Sequence, residues 1–140
     1  MEKAEIDRLC EAALQAQQNA YAPYSRFAVG AAAMSPDDQL FSGCNIENAS
    51  YGLTICAERV ALFNAIAHGH RKLKAIAVVT AGGHHPCGAC RQVIAEFMGS
   101  NAPIFICDSA QPDDPIRWTS IEKLLPGRFA LPTDQLEEGR

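Results

Sequence analysis

The sequence predicts an α/β fold: one mixed sheet covered by helices on both faces. Three observations carry that expectation. Helical and strand-like segments alternate in the order helix, hairpin, helix, strand, helix, strand, helix. The run Ala75-Ile76-Ala77-Val78-Val79-Thr80 is apolar almost throughout, the composition of a strand buried on both sides. The length, 140 residues, suits one core, and no repeat or linker divides it, so residues 1–140 are expected to form a single domain.

Ile6, Leu9, Cys10, Ala13, Leu14 and Gln17 recur at three- and four-residue spacing, which predicts a helix from Ala4 to Asn19 within an N-terminal segment 1–20. Pro23 breaks it, because proline disfavours helix at the residue before it. Phe27 to Ala33 is an unbroken apolar run and predicts a buried strand. Ser35-Pro36-Asp37-Asp38 turns the chain, and Gln39 to Asn45 returns as the second strand of a hairpin. Asn48 to Gly52 reads as a loop. A second helix is expected from Cys56 to His68, stopped by Gly69, and a third from Cys87 to Met98. Between them lie the strand Ala75 to Thr80 and the loop Gly82-Gly83-His84-His85-Pro86. Ile104 to Cys107 predicts a short strand, and Ser120 to Leu125 a short helix ending before Pro126-Gly127. Asp113-Asp114 and Glu137-Glu138 read as solvated surface, and the tail 131–140 as loosely held.

Composition narrows the function. The net charge is −4 with no basic run, which argues against nucleic acid as a partner. No stretch approaches the roughly 20 apolar residues of a membrane span, so no membrane partner is expected. Met1 to Glu5 lacks the apolar centre of a secretory signal, and a cytoplasmic location follows as an expectation. Against that background six cysteines stand out, since in a reducing compartment thiols serve as ligands, catalysts or small hydrophobes more often than as disulfides.

Cys87-Gly88-Ala89-Cys90 sets two thiols three residues apart at a helix start, where both sulfurs can meet one metal ion and the helix dipole favours thiolate. Alone, the pattern also fits a redox pair. Cys56-Ala57-Glu58 sits at the mouth of the preceding helix, 31 residues before Cys87. In mid-helix, positions two apart diverge, but at the entrance the first residue is not yet helical and both side chains can turn to one point. A helix and a strand lie between, the length of a crossover that sets two helix starts side by side. Cys56, Cys87 and Cys90 would then hold one Zn²⁺ and leave a fourth position open, as catalytic zinc requires. Zinc base deaminases share this pattern: His or Cys, Glu two residues on, and Pro-Cys-x-x-Cys downstream.

On Tyr24-Ser25-Arg26-Phe27-Ala28-Val29-Gly30, Gly43-Cys44-Asn45-Ile46-Glu47-Asn48, Cys56-Ala57-Glu58-Arg59, Pro86-Cys87-Gly88-Ala89-Cys90-Arg91-Gln92 and Leu124-Leu125-Pro126-Gly127-Arg128-Phe129, the chain resembles the small homotetrameric, all-cysteine cytidine deaminases of pyrimidine salvage. The resemblance implies a three-layer αβα domain with a mixed five-stranded sheet. It implies hydrolysis of cytidine and 2′-deoxycytidine at C4, with one zinc per subunit activating water and Glu58 as the catalytic acid and base. It further implies that Asn45 and Glu47 hold the ribose hydroxyls, that the Ala57 backbone meets the base and Phe27 stacks on it, and that Tyr51 and Phe129 come from neighbouring subunits. Three thiolates and Zn²⁺ sum to one excess negative charge, so Arg59 and Arg91 are expected to donate to ligand sulfurs and restore Lewis acidity.

Other readings stay beside this one. A deaminase of the same fold acting on another cytosine nucleoside, such as blasticidin S, is opposed by the Asn45/Glu47 pair. A structural zinc module needs a fourth ligand from Cys44, Cys107 or His85 and leaves Glu58 without a role. Cys10, Cys44 and Cys107 are expected to pack as small hydrophobes, His84 and His85 to be solvated at the pocket rim, and His68 and His70 to cap a helix.

Overall fold

The computed structural model describes residues 1–132; the remainder of the expected tail, with Glu137 and Glu138, lies outside the described residues. The chain runs α1 (Lys3–Gln17), β1 (Gly30–Met34), β2 (Leu40–Cys44), α2 (Ala57–Ala67), β3 (Ala75–Thr80), α3 (Gly88–Phe97), β4 (Ile104–Asp108), β5 (Arg117–Thr119) and α4 (Ile121–Leu124), with a 3-10 turn at Tyr51–Leu53. The sheet order is β2-β1-β3-β4-β5. Only β3 and β4 pair in parallel among the described strands, and α3 supplies the crossover such a pair needs.

Strand alternation sorts the core into two layers. Ala32, Met34, Ala75, Ala77, Val79 and Phe105 face α1 through Leu9 and Ala13. Ala33, Phe41, Ile76, Ile104 and Ile106 face the other way, onto Leu62 and Ala65 of α2, Ile94 of α3 and Ile121 of α4. The result is the αβα sandwich with a mixed five-stranded sheet that the sequence implied. Small residues in β1 and β2 bring the helices unusually close. A Cβ on Gly30 would stand 2.0 Å from the Ala13 carbonyl oxygen, and one on Gly43 2.5 Å from the Ala61 nitrogen. The two glycines thus admit α1 and α2 on opposite faces.

Two elements differ from expectation. β1 begins at Gly30 rather than Phe27, because the Asn45 side chain takes the place of ladder partners there. Its Oδ1 accepts from the Val29 amide at 2.9 Å and its Nδ2 donates to the Phe27 carbonyl at 2.7 Å. β5 has no apolar alternation to reveal it: Arg117 and Trp118 are exposed, and Trp118 lies under the Lys123 ammonium, 5.4 Å from its ring centroid.

Candidate active site

Cys56 is the N-cap of α2 and Cys87 the N-cap of α3, both in extended conformation (φ −76°, ψ 152° and φ −68°, ψ 170°). The backbone is therefore not yet helical at either residue, as the Cys56/Glu58 spacing demanded. Cys90 follows one turn into α3. The three Sγ atoms lie within 4.8 Å of one another. Cys56 and Cys87 are 3.8 Å apart at sulfur, which is about the separation of two sulfurs bound at ~2.3 Å to one tetrahedral zinc. The Cys56 thiol is pushed down to about 5, chiefly by its hydrogen bond with Cys90 and further by Arg59, against the opposing effect of burial. Arg59 donates from Nη2 to Cys56 Sγ at 3.3 Å, while its buried Nε has no partner among the described residues. These donors fit a zinc ion. No fourth His, Cys, Asp or Glu joins the group among the described residues, so Cys44, Cys107 and His85 do not complete a closed structural site.

Glu58, in the first turn of α2, is only 4% exposed. Burial pushes its carboxyl up to about 7, with the negative charge of Cys56 adding to the rise. A carboxyl near neutrality can both accept and release a proton. Ala57, fully buried, fixes the backbone between ligand and acid by packing on Ala31 and Ala61.

Asn45 and Glu47 leave β2 toward a laced loop. Tyr21 N–H donates to the Asn45 carbonyl, Glu47 N–H to the Tyr21 carbonyl, and Ile46 exchanges two backbone bonds with Ile55 just before Cys56. Asn45 is buried and serves first as the clip on Phe27 and Val29 described above, with one donor hydrogen and one lone pair left over. The Glu47 carboxylate accepts from the amides of Tyr24 and Ser25 at 2.9 and 3.1 Å and from the Ser25 hydroxyl. The Ser25 hydroxyl, followed by the amide bonds, holds Glu47 below its ordinary value. This clasp did not emerge from the sequence. Its signal was a Ser two residues before Phe27 in a proline turn: Ser25 Oγ also accepts from Phe27 N–H at 3.0 Å, and Arg26 between them takes a positive φ of 57°.

The Phe27 ring meets the His84 ring edge-on, 5.6 Å between centroids, which joins the candidate base platform to the loop leading into Cys87. His84 and His85 are both exposed, as expected, and His84 in addition touches the Phe27 ring. Tyr51 is exposed and packs edge-on against Tyr24 at 5.7 Å. Phe129 is also exposed and lies on the outer side of α3, its carbonyl accepting from Gln92 at 3.1 Å, in a groove of about 370 Å³. Arg91 corrects an expectation. Its guanidinium donates to the Pro86 and Leu124 carbonyls at 2.8 and 2.9 Å and makes no hydrogen bond to a ligand sulfur, so it braces the approach to Cys87. His68 caps α2 through the Asn64 carbonyl at 2.8 Å, and His70 bonds the helix end through its amide, which donates to the Ala65 carbonyl, while its ring lies tilted against Phe41 and reaches Gln39.

Comparison with known proteins agrees with this geometry. Residues 3–106 match the family model described as the cytidine and deoxycytidylate deaminase zinc-binding region. The chain is 45% identical over 128 residues to the cytidine deaminase of Sporosarcina psychrophila, covering 90% of this chain and 92% of that one. It is 50% identical over 123 residues to that of Halalkalibacterium halodurans, covering 86% and 91%. The crystal structure of cytidine deaminase from Burkholderia pseudomallei superposes with a TM-score of 0.83 at 47% identity, over 92% of this chain and 100% of that chain. The converging thiols and buried acid therefore sit in a fold and a sequence that agree with each other, and the chain belongs to the cytidine and deoxycytidylate deaminase family.

Proposed function

We propose that the protein hydrolyses cytidine and 2′-deoxycytidine to uridine and 2′-deoxyuridine with release of ammonia. The observation that carries this reading is the meeting of three thiols and the buried Glu58 at two adjoining helix starts. When bound by Cys56, Cys87 and Cys90, zinc supplies Lewis-acid activation of a water molecule. Glu58 accepts the first proton of that water and passes it to N3 of the cytosine ring, which makes C4 electrophilic, and the water oxygen forms its bond to C4. It then carries the second water proton to the C4 amino group, which departs as ammonia, so atoms and charge balance. Phe27 stacks on the base, and the Ala57 backbone meets its edge. Glu47, kept ionised by its clasp, accepts from ribose hydroxyls, and Asn45 contributes its remaining donor and acceptor.

The same reading extends to a homotetramer in which Tyr51 and Phe129 of neighbouring chains complete each pocket. It is supported by the exposure of these rings together with Leu53 and Leu131, more apolar surface than an isolated wall needs. Six free thiols suit a reducing, cytoplasmic setting.

Loss of the cytidine ultraviolet band tests the activity. Wild type should convert the substrate, and Glu58→Gln, checked for retained zinc, should lose turnover by at least about 100-fold. Wild type inactive on every free nucleoside, or a zinc-loaded Glu58→Gln with full turnover, overturns the reading. Chelation should abolish activity and added zinc restore it.

A further inference from the structure

On the face of the sheet away from the zinc thiols, Cys10 of α1 and Cys107 of β4 meet at 3.1 Å between sulfurs. Both are half-buried and line a solvent-open groove of about 950 Å³ that Leu14, Ile106, Ile116 and Arg117 also border. The contrast with the zinc cluster is instructive. Sulfurs sharing one tetrahedral zinc stand about 3.8 Å apart, as Cys56 and Cys87 do, whereas this pair is too close for that and about 1 Å from disulfide bonding distance. No third ligand residue joins the pair among the described residues.

We propose that Cys10 and Cys107 are a peroxide-reactive dithiol site, independent of the active centre, whose oxidation links α1 to β4. The Cys107 thiolate attacks one oxygen of the peroxide, the O–O bond breaks, and hydroxide leaves. Cys107 becomes a sulfenic acid as the peroxide is reduced. The Cys10 sulfur then attacks the Cys107 sulfur, and the displaced hydroxide takes the Cys10 proton as water. Two thiols and one hydrogen peroxide give one disulfide and two waters. The same disulfide and waters form if Cys10 strikes first, because the two sulfurs share one hydrogen bond and both face the groove. The groove admits the small oxidant, and the second sulfur already lies beside the first.

The zinc-loaded full-length protein is treated with hydrogen peroxide, alkylated to trap remaining thiols, and mapped as peptides. A peptide containing Cys10 should appear joined to one containing Cys107, lighter by two hydrogens and separable with dithiothreitol. Because the link closes a loop of about 100 residues, the thermal midpoint should rise by about 10 °C. Cys10→Ala and Cys107→Ala should each lose both the linked peptide and the shift. Zinc content, measured in parallel, scores damage at Cys56, Cys87 and Cys90 separately. Recovery of Cys10 and Cys107 as free thiols overturns the proposal. So does their oxidation to unlinked acids, or a thermal shift that survives in either variant.

Discussion

Three thiolates around a divalent zinc would carry one excess negative charge, and Arg59 donates a hydrogen bond to one of those sulfurs, Cys56 Sγ. Arg59→Ala should lower kcat roughly 10- to 100-fold with little change in KM, since the contact tunes the ligand and not the sugar. Steady-state kinetics decide it; a raised KM with unchanged kcat would show that Arg59 acts on binding. Ser25 makes a different prediction. A carboxyl depressed in the folded chain, as Glu47 is, favours folding above its unfolded value near 4.5 and loses that contribution as pH falls through the native value. Ser25→Ala removes the largest cause of the depression, so the variant should be less stable than wild type above about pH 4.5 and should lose less stability as the pH falls from there. KM for cytidine should also rise roughly 2- to 10-fold. Identical acid unfolding curves and KM would remove Ser25 from the site. The convergence of Cys56, Cys87 and Cys90 near Glu58 was legible because metal chemistry fixes such spacing along a chain. The Ser25–Glu47 clasp was not, because it joins residues 22 apart through a positive-φ turn that no periodicity announces.

At the scale of elements, the sheet decides where the helices stop. A Cβ at Gly43 would meet Ala61 N at 2.5 Å and both Ala57 O and Val60 Cβ at 2.8 Å, so Gly43→Ala must lift α2 from β2. We expect it to cost about 1–3 kcal/mol in urea unfolding and to weaken zinc affinity, because Cys56 moves while Cys87 and Cys90 stay on α3. Gly30→Ala, which crowds α1 instead, should destabilise comparably and leave zinc affinity unchanged, since α1 carries no ligand. Equal zinc affinities in the two variants would refute this division. Helix ends were legible to within a residue or two where Gly or Pro marks them. The start of β1 was not, because Phe27 to Val29 have strand-like side chains but give their backbone bonds to a side-chain amide.

At the scale of the molecule, the sequence pattern supports a mixed sheet but leaves strand order open, because β1 pairs with β3 across the whole of β2 and α2. Assembly carries a prediction of its own. If Phe129 serves a neighbouring pocket, Glu58→Gln and Phe129→Ala chains each lack a different part of a shared site. Mixed and reassembled, they should recover activity above the sum of the two separate preparations; no gain would confine Phe129 to its own subunit. The Asn45 clip bears on how mutational data from this protein are read. Asn45→Asp keeps the shape but turns an N–H donor into an oxygen facing the Phe27 carbonyl, so the first casualty is the path of the main chain at Phe27, the candidate base platform. A kinetic defect at position 45 is therefore a compound signal. Structural comparison of the variant has to precede any inference about sugar recognition.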